Sequence, residues 1–344
     1  MEKNDAEFVR KVEAFIAEWN NADDRVLVHT SGSTGQPKPM WASKRLMANS
    51  ARMTCDFLHL QPGDTALLCL PVDYIAGKMV VVRAMVRQLQ LVIKAPQAHP
   101  LAGLHHAPTF AAMVPMQVTN SLNNAHERQL LADIRQLIIG GGAIDETLEK
   151  ELRDFPNNVW STYGMTETLS HIALRRLNGP EADDAYTPLE GVGIETDDEG
   201  RLVITDPATG GSRLVTNDLA TILPDGRFVI RGRRDNVICS GGIKIQAESL
   251  ESQLAFTALP LAVTAVPDVR LGEAVTLVYE ADGVHDEAWW KRLCDTHLDR
   301  LERPRHFFAV DRLPLTETGK PARQRLKQLA AECLREEREK ATEE

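Results

Sequence analysis

The chain has 344 residues, which predicts two or three domains, and 43% hydrophobic with 26% charged residues is ordinary globular composition. The formal net charge of −10 argues against a nucleic-acid partner, which requires a basic surface. We also expect no membrane span and no signal peptide, since no apolar run is long enough and the N-terminus is polar. The five scattered cysteines predict reduced packing residues and a cytoplasmic protein.

The first part of the chain, up to about residue 175, alternates helical and strand patterns. Continuous apolar runs of strand length separated by helical stretches predict buried parallel strands joined by crossovers. The expected elements are an amphipathic helix over 5–19, a strand at 24–30, a helix from Ser43 as N-cap to Phe57, strands at 65–72 and 89–94 with a helix between them, and a strand, a helix and a strand over 134–144, 145–155 and 158–164.

The second part changes its pattern at about residue 186. Short apolar runs alternate with the turns "DPATGG" and "PDGR", which predicts antiparallel hairpins up to residue 234. A small α+β domain is predicted for the rest, with a charged, fraying helix end at 331–344. Its expected elements are a helix near 247–258, strands at 261–268 and 274–281, a helix around Trp289, Trp290 and Leu293, and a strand at 306–310. The fold class is therefore α/β: a layered N-terminal domain over 1–234, with a β-rich portion at about 186–234, and a C-terminal α+β domain over 235–344.

A loop rich in glycine and hydroxyl groups, "HTSGSTGQPKPM" (29–40), follows the first predicted strand. Gly32 and Gly35 allow close approach of the backbone to a ligand, and Lys38 adds a mobile positive charge. The hydroxyl donors are Thr30, Ser31, Ser33 and Thr34. This inventory suits a phosphate chain, although an ordinary polar turn has the same composition. The loop is not a Walker A motif, because Lys38 lies between two prolines and does not open a helix.

Five segments together resemble the adenylate-forming acyl-CoA synthetase superfamily, in order and over nearly the whole chain. They are "TSGSTGQPK" (30–38), "YGMTET" (163–168), "TNDLA" (216–220), "GRRDNVICSGGIKI" (232–245) and "LPLTETGKPAR" (313–323). The resemblance implies that a carboxylate attacks the α-phosphate of ATP, and that a thiol, usually coenzyme A, then displaces AMP. Members usually have a longer N-terminal region before the phosphate loop. The chain is therefore expected to be a shortened variant, or to receive the missing layer from a partner or a homodimer.

The resemblance also implies roles for individual residues. Thr30 to Gly35 and Lys38 would hold the β- and γ-phosphates, Thr166 the α-phosphate, and Glu167 Mg²⁺. At the nucleoside, the expected contacts are Tyr163, Gly164, Gly141, Gly142 and Ala143 at adenine, and Asp218 and Arg233 at the ribose. Asn217 stands where the family commonly has glycine.

A mobile C-terminal domain is implied as well. Lys320 would bridge the acyl carboxylate and the α-phosphate during adenylation, when an ammonium at about 4 Å contributes roughly 4 kcal/mol. Asp235 would be the hinge. After rotation, Gly241 and Gly242 would line the path of the thiol.

The acid is suggested by a further resemblance, to the o-succinylbenzoate–CoA ligases of menaquinone biosynthesis. Their "LPLFHxSG" segment is followed six residues later by an arginine, and here "LPVDYIAG" ends at Gly77 and is followed by Arg83. A guanidinium suits the second carboxylate of such an acid. Arg87 or Lys78 are alternative anchors. The alternative to any binding role is that Arg83 is an ordinary arginine on the surface of a helix. Tyr74, where histidine is common, and Ser170 and His171 are candidate pocket residues without an acid–base role.

Three other functions stay open at this point. The alternatives to an o-succinylbenzoate–CoA ligase are a CoA ligase for another aryl or medium-chain acid, an adenylating domain that loads a carrier protein, and a nucleotide-binding protein without catalytic turnover.

Overall fold

The computed structural model describes residues 3–29, 39–142, 144, 146–316 and 321–343. Helix α1 (Lys3–Asn20) opens this part of the chain with an apolar face, and a two-stranded hairpin, β1 (Arg25–His29) and β2 (Pro39–Ser43), leads into α2 (Lys44–Phe57). Ser43 occupies the N-cap position of α2 as predicted, but its side chain makes no cap hydrogen bond.

A seven-stranded sheet forms the centre of the N-terminal part. Its strands and helices, in chain order, are β3 (Thr65–Leu68), α3 (Ile75–Arg87), β4 (Gln90–Ile93), β5 (Phe110–Met113), α4 (Pro115–Leu122), α5 (Ala125–Asp133), β6 (Gln136–Ile139), α6 (Glu146–Leu152), β7 (Asn158–Gly164), β8 (His171–Arg176) and β9 (Thr187–Pro188). The spatial order is β4-β3-β5-β6-β7-β8-β9. The first five are parallel and the last two antiparallel, so the predicted crossover core is confirmed.

The two faces of this sheet carry separate apolar clusters. Ala66 and Leu68 of β3 pack with α1, α2 and α3, whereas Leu67 and the following Cys69 pack with α4, α5 and α6. Successive side chains of a strand point to opposite faces, so a fully apolar strand needs helices on both sides. The arrangement places the segment after β3 beside the start of α3, where Gly77 lies against the backbone of Pro71.

A four-stranded antiparallel sheet follows, as the turn pattern predicted. Its strands are β10 (Gly193–Thr196), β11 (Arg201–Thr205), β12 (Arg213–Ile222) and β13 (Phe228–Arg233), in spatial order β10-β11-β12-β13. The pairing of β12 with β13 sets Asp218 opposite Arg233.

The C-terminal part has its own sheet and its own core. Its elements are β14 (Val237–Ser240), β15 (Ile243–Gln246), α7 (Ala247–Leu254), β16 (Leu261–Asp268), β17 (Gly272–Glu280), α8 (Glu287–His297), β18 (His306–Val310) and α9 (Arg323–Glu343). Strand β17 pairs with β14, β16 and β18. Helices α7 and α8 cover one face of the sheet and α9 the other, and both apolar clusters use only residues between 238 and 334.

One sequence expectation is corrected by the fold, and several elements were not predicted. Strand β5 and helices α4 and α5 were not predicted, since the run over 110–113 is short and lies between prolines. Cys239 is exposed, so it is not a packing residue, whereas Cys55, Cys69 and Cys294 are buried; all five cysteines are free thiols. Among the described helices, none combines the length and apolarity needed to cross a membrane.

Candidate active site

The proposed ribose site is built where β12 and β13 meet the end of β7. Asp218 is 9% exposed, and its carboxylate accepts hydrogen bonds from the Tyr163 hydroxyl at 2.5 Å and from Arg233 Nη1 at 3.3 Å. Burial, and then the negative charge of Asp218, raise the pKa of Tyr163, which therefore remains a hydrogen-bond donor. The sequence prediction that Asp218 and Arg233 lie together is confirmed. A carboxylate oriented by two donors is suited to accept hydrogen bonds from vicinal hydroxyls.

The tyrosine ring belongs to an aromatic cluster beside this carboxylate. Tyr163 packs against Tyr186 and Phe228, with ring centroids 5.7 and 5.4 Å apart. Gly164 has a structural reason to be glycine, because a Cβ there would lie 2.4 Å from the Cα of His171 on the paired strand β8. A role of Gly164 at adenine stays a prediction.

A strained turn presents Glu167. Residues Thr166–Thr168 form one turn of 3-10 helix. The Thr168 hydroxyl holds this turn, since it accepts a hydrogen bond from the Met165 backbone N–H and donates one to the carbonyl oxygen of Ser170 at 2.6 Å. The turn ends at the buried Leu169 with φ of +62°, a conformation that is unfavourable for a branched side chain. Thr166 is buried. Glu167 is exposed and has no ion pair with the described residues, so its carboxylate is available to a hard cation.

A second polar cluster lies between α2, α3 and β8, around Arg83. Arg83 is 2% exposed, and its Nη2 donates to Ser170 Oγ at 2.5 Å and to Thr54 Oγ1 at 3.4 Å. Its Nε has no hydrogen-bond partner, and no acidic residue in the described part of the chain pairs with it. Burial lowers the pKa of Arg83 to about 10, so the side chain is charged at neutral pH. The helix-surface alternative is therefore wrong.

His171 completes this cluster as a neutral group. Its Nε2 lies 3.0 Å from Thr54 Oγ1, and the pKa of the imidazole is well below its usual range because of burial first and the nearby Arg83 charge second. Sequence reasoning predicted Ser170 and His171 but missed Thr54. Nothing in the sequence around Thr54 marks it, since it contacts His171 across 117 positions.

The alternative anchors are occupied elsewhere. Arg87 pairs with Asp56 at the surface, and Lys78 lies over the ring of Phe15 and 3.8 Å from Glu18. Tyr74 is the residue before α3, and it is partly buried. The structure therefore brings together Arg83, Ser170 and His171, but not Arg87 or Lys78.

The glycine turn between β14 and β15 borders a basic cavity of about 610 Å³. Ser240, Gly241 and Ile243 line one side, and a Cβ added to Gly242 would meet nothing within 4 Å. The cavity is lined by four positively charged side chains and His306, and by two carboxylates. The cations are Lys291, Arg300, Arg303 and Arg305, and the carboxylates are Asp268 and Glu287. Of the four, only Arg303 forms an ion pair with a described residue, Asp295.

Several predicted site residues lie outside the described residues. These are Thr30, Ser31, Gly32, Ser33, Thr34, Gly35, Lys38, Ala143 and Lys320. Gly141 and Gly142 are described, at the carboxyl end of β6, and Gly141 has φ of +77°. Asp235 lies in a 3-10 turn, Arg234–Asn236, between the last strand of the four-stranded sheet and β14. Among the described residues no group of three or more metal-ligating side chains is present.

Comparison with known proteins identifies the family. A sequence profile described as "AMP-binding enzyme" matches residues 2–232, about two thirds of the chain. The chain belongs to the AMP-binding enzyme family. Asp218 and Glu167 lie within the matched range and Arg233 lies just beyond it. Their roles at a nucleotide stay predictions.

Individual relatives of this family are similar at moderate identity. A solved chain from Dyadobacter fermentans, titled an acyl-CoA synthetase (AMP-forming)/AMP-acid ligase II-like protein, is 36% identical with a TM-score of 0.65, and the alignment covers 93% of both chains. The curated 2-succinylbenzoate–CoA ligase of Lactococcus lactis is 24% identical over 88% of this chain and 70% of its own length. MenE from Bacillus subtilis, solved with ATP and magnesium, has the same fold at a TM-score of 0.74 and 23% identity, covering 87% of this chain and 69% of that one.

Proposed function

We propose that this AMP-binding enzyme is an ATP-dependent acid–CoA ligase whose acid carries two carboxylates, and that 2-succinylbenzoate is its substrate. The observation that carries the proposal is the buried guanidinium of Arg83 beside Ser170, which forms no ion pair with the described residues. The names of the curated relatives support the proposal. The resemblance of the segment ending at Gly77, with Arg83 six residues later, supports it as well.

Arg83 argues for a dicarboxylate because a buried charge without a partner is expensive. A cation removed from water needs an anion and hydrogen bonds to compensate for lost hydration. Here two hydroxyl oxygens are its described partners, and both accept from the same nitrogen. A carboxylate of the substrate would supply the missing negative charge and accept from the free Nε. A simple aryl or medium-chain acid offers no such group once its only carboxylate is activated.

The nucleotide would bind across the two polar sites. Asp218 would accept from the ribose hydroxyls, and Thr166 would donate to the α-phosphate. Glu167 would hold Mg²⁺, which would supply positive charge to neutralise the leaving pyrophosphate. The predicted phosphate loop (30–38) and Lys320 would supply the remaining donors. One carboxylate oxygen of the acid attacks the α-phosphorus, the bond to pyrophosphate breaks, and the acyl-adenylate remains.

The second step is the attack of a thiol on the acyl carbon, which releases AMP as the carbon–oxygen bond breaks. We propose coenzyme A as the thiol, because the cavity beside the glycine turn is basic in a chain whose net charge is −10. Three phosphates at the nucleotide end of coenzyme A suit Lys291, Arg300 and Arg305, none of which forms an ion pair with a described residue. A carrier protein would present a single phosphate on its phosphopantetheine arm and needs no such cluster.

The two steps would use two orientations of a mobile C-terminal domain. The separate core of residues 238–334 supports the predicted division into 1–234 and 235–344, with Asp235 as the hinge. In this scheme Lys320 serves adenylation, and Gly241 and Gly242 serve the thiol step. A cytoplasmic location and a homodimer stay predictions.

A panel of acids tests the proposal. AMP formation is measured with 2-succinylbenzoate, with its two monocarboxylate analogues, each of which lacks one of the two carboxylates, and with medium-chain acids. Each acid is tested with coenzyme A and with a phosphopantetheine carrier. We expect AMP and one equivalent of thioester with 2-succinylbenzoate and coenzyme A. Equal or greater activity with the monocarboxylates would reject the dicarboxylate, and transfer only to the carrier would reject coenzyme A.

A further inference from the structure

A set of side-chain hydrogen bonds closes around the segment that joins the two parts of the chain. On one side, Asn217 of β12 donates its Nδ2 to Asp235 Oδ2 at 3.0 Å, and Arg233 Nη2 lies 3.5 Å from the same oxygen. Arg233 also donates to Asp218, so the carboxylate proposed for the ribose and the proposed hinge residue share one guanidinium. The residues on this side therefore link the nucleotide site to the hinge.

On the other side, Gln246 reaches back across the hinge. Its Nε2 donates to the backbone carbonyl of Arg233 at 3.0 Å and also to the carboxylate of Glu248, which accepts from Asn236 as well. The amide lies directly on the backbone at Gly232, where a Cβ would be 2.3 Å from Nε2 and φ is +136°. Only glycine allows this approach, so the contact depends on the local backbone as well as on the glutamine.

In this orientation the cavity beside the glycine turn and the proposed nucleotide site share no described residue. Among the residues that the structure describes, those that line the cavity beside the turn all lie between 240 and 307, and Gly242 is open on the side where its Cβ would point. None of the residues around Asp218, Glu167 or Arg83 lines it. A domain rotation that brings the turn to the acyl-adenylate must therefore break the bond from Gln246 to Arg233.

We propose that Asn217 and Gln246 are positioning residues that form a hinge latch, which favours the orientation seen here and must open before the thiol step. This inference rests on the proposed two-step function. One side-chain hydrogen bond shifts an equilibrium by between about twofold and about tenfold. Asn217→Gly or Gln246→Leu should therefore raise the rate of thioester formation from supplied acyl-adenylate, relative to the rate of adenylation, by a factor in that range, while Asn217→Gln retains the donor and the original ratio.

A distance measurement tests the latch without relying on activity. Spin labels are placed by Glu13→Cys on α1 and Val284→Cys in the C-terminal part, both exposed, with Cys239→Ser and Cys333→Ser removing the accessible thiols. The matched control is Gln129→Leu, which removes an exposed glutamine–aspartate hydrogen bond of the same length, 3.0 Å, on α5. We expect a narrow distance distribution for the unaltered chain and for the control, and a broadened or second distribution for Asn217→Gly and Gln246→Leu.

The outcomes separate the latch from the proposed function. Identical distributions in all variants, with an unchanged ratio of the two half-reaction rates, would overturn the latch while the ligase activity stands. Broadened distributions in a protein that forms no AMP with any acid would support the latch as a hinge contact and overturn the proposed function. A lower melting temperature in both variants without broadening would assign the two residues to stability alone, and would also overturn the latch.

Discussion

Replacing Arg83 with methionine should improve stability slightly and impair binding of a dicarboxylate at the same time. Burial lowers the pKa of Arg83 from 12.5 to about 10, and at 1.36 kcal/mol per pKa unit this difference penalises the charged form by about 3 kcal/mol. The hydrogen bond to Ser170 offsets about 1.5–3 kcal/mol of this penalty. The unfolding free energy of Arg83→Met should therefore change by between about 0 and +2 kcal/mol, whereas loss of one partner of a buried ion pair typically costs about 3–5 kcal/mol.

The same substitution should strongly weaken binding of the second carboxylate of the substrate. Removing one partner of a buried, hydrogen-bonded charge pair costs about 2–5 kcal/mol of binding, which is about 30- to 4,000-fold in KM. The assay is initial-rate AMP formation with 2-succinylbenzoate and with the monocarboxylate analogue that keeps the activated carboxylate. For this analogue, KM should differ less than about threefold between the variant and the unaltered enzyme.

The matched control is Arg87→Met, one helical turn further along α3, where the side chain pairs with Asp56 at the surface. It should leave both KM values unchanged. An unaltered KM for the dicarboxylate in Arg83→Met, or an equal rise for both acids, would refute the assignment of Arg83 as the anchor of the second carboxylate.

The remaining predictions concern the half-reactions and pH. Lys320→Ala should abolish pyrophosphate release but retain thioester formation from supplied acyl-adenylate, and equal loss of both would contradict the division of roles. Gly242→Leu should do the reverse; the space around Gly242 is open, but its φ of +84° is strained for leucine, so the melting temperature should fall slightly. The folded pKa of His171 is below its unfolded value near 6.5, so the unfolded chain binds the proton first and stability is lost as pH falls below about 6.5. Denaturant titrations should show a loss of up to about 1.4 kcal/mol per pH unit in this window that His171→Gln removes; the same slope in the variant would exclude His171.

The sequence predicted most elements because their apolar periodicity is local. Helix α1 and strands β3, β16 and β18 lie where the pattern indicated. Strand β5 was missed because four apolar residues between prolines do not distinguish a strand from a loop. Its position is decided by pairing with β3 and β6, which are distant in sequence.

Part of the site could be predicted because some of its residues lie in short local motifs. Asp218 and Arg233 belong to short motifs, and the structure confirms that they meet. The burial of Arg83 could not be derived, because α3 is apolar on nearly every side and offers no polar face to orient it. Its contact with Ser170 spans 87 positions, and the roles of Thr54 and Gln246 also depend on tertiary packing.

The most direct test of the account is the product balance with 2-succinylbenzoate, ATP and coenzyme A. The proposed function predicts AMP, pyrophosphate and thioester in equal amounts, and AMP formation that saturates at a lower concentration for the dicarboxylate than for its monocarboxylate analogue. Release of ADP and phosphate, or no acid-dependent AMP at all, would contradict it.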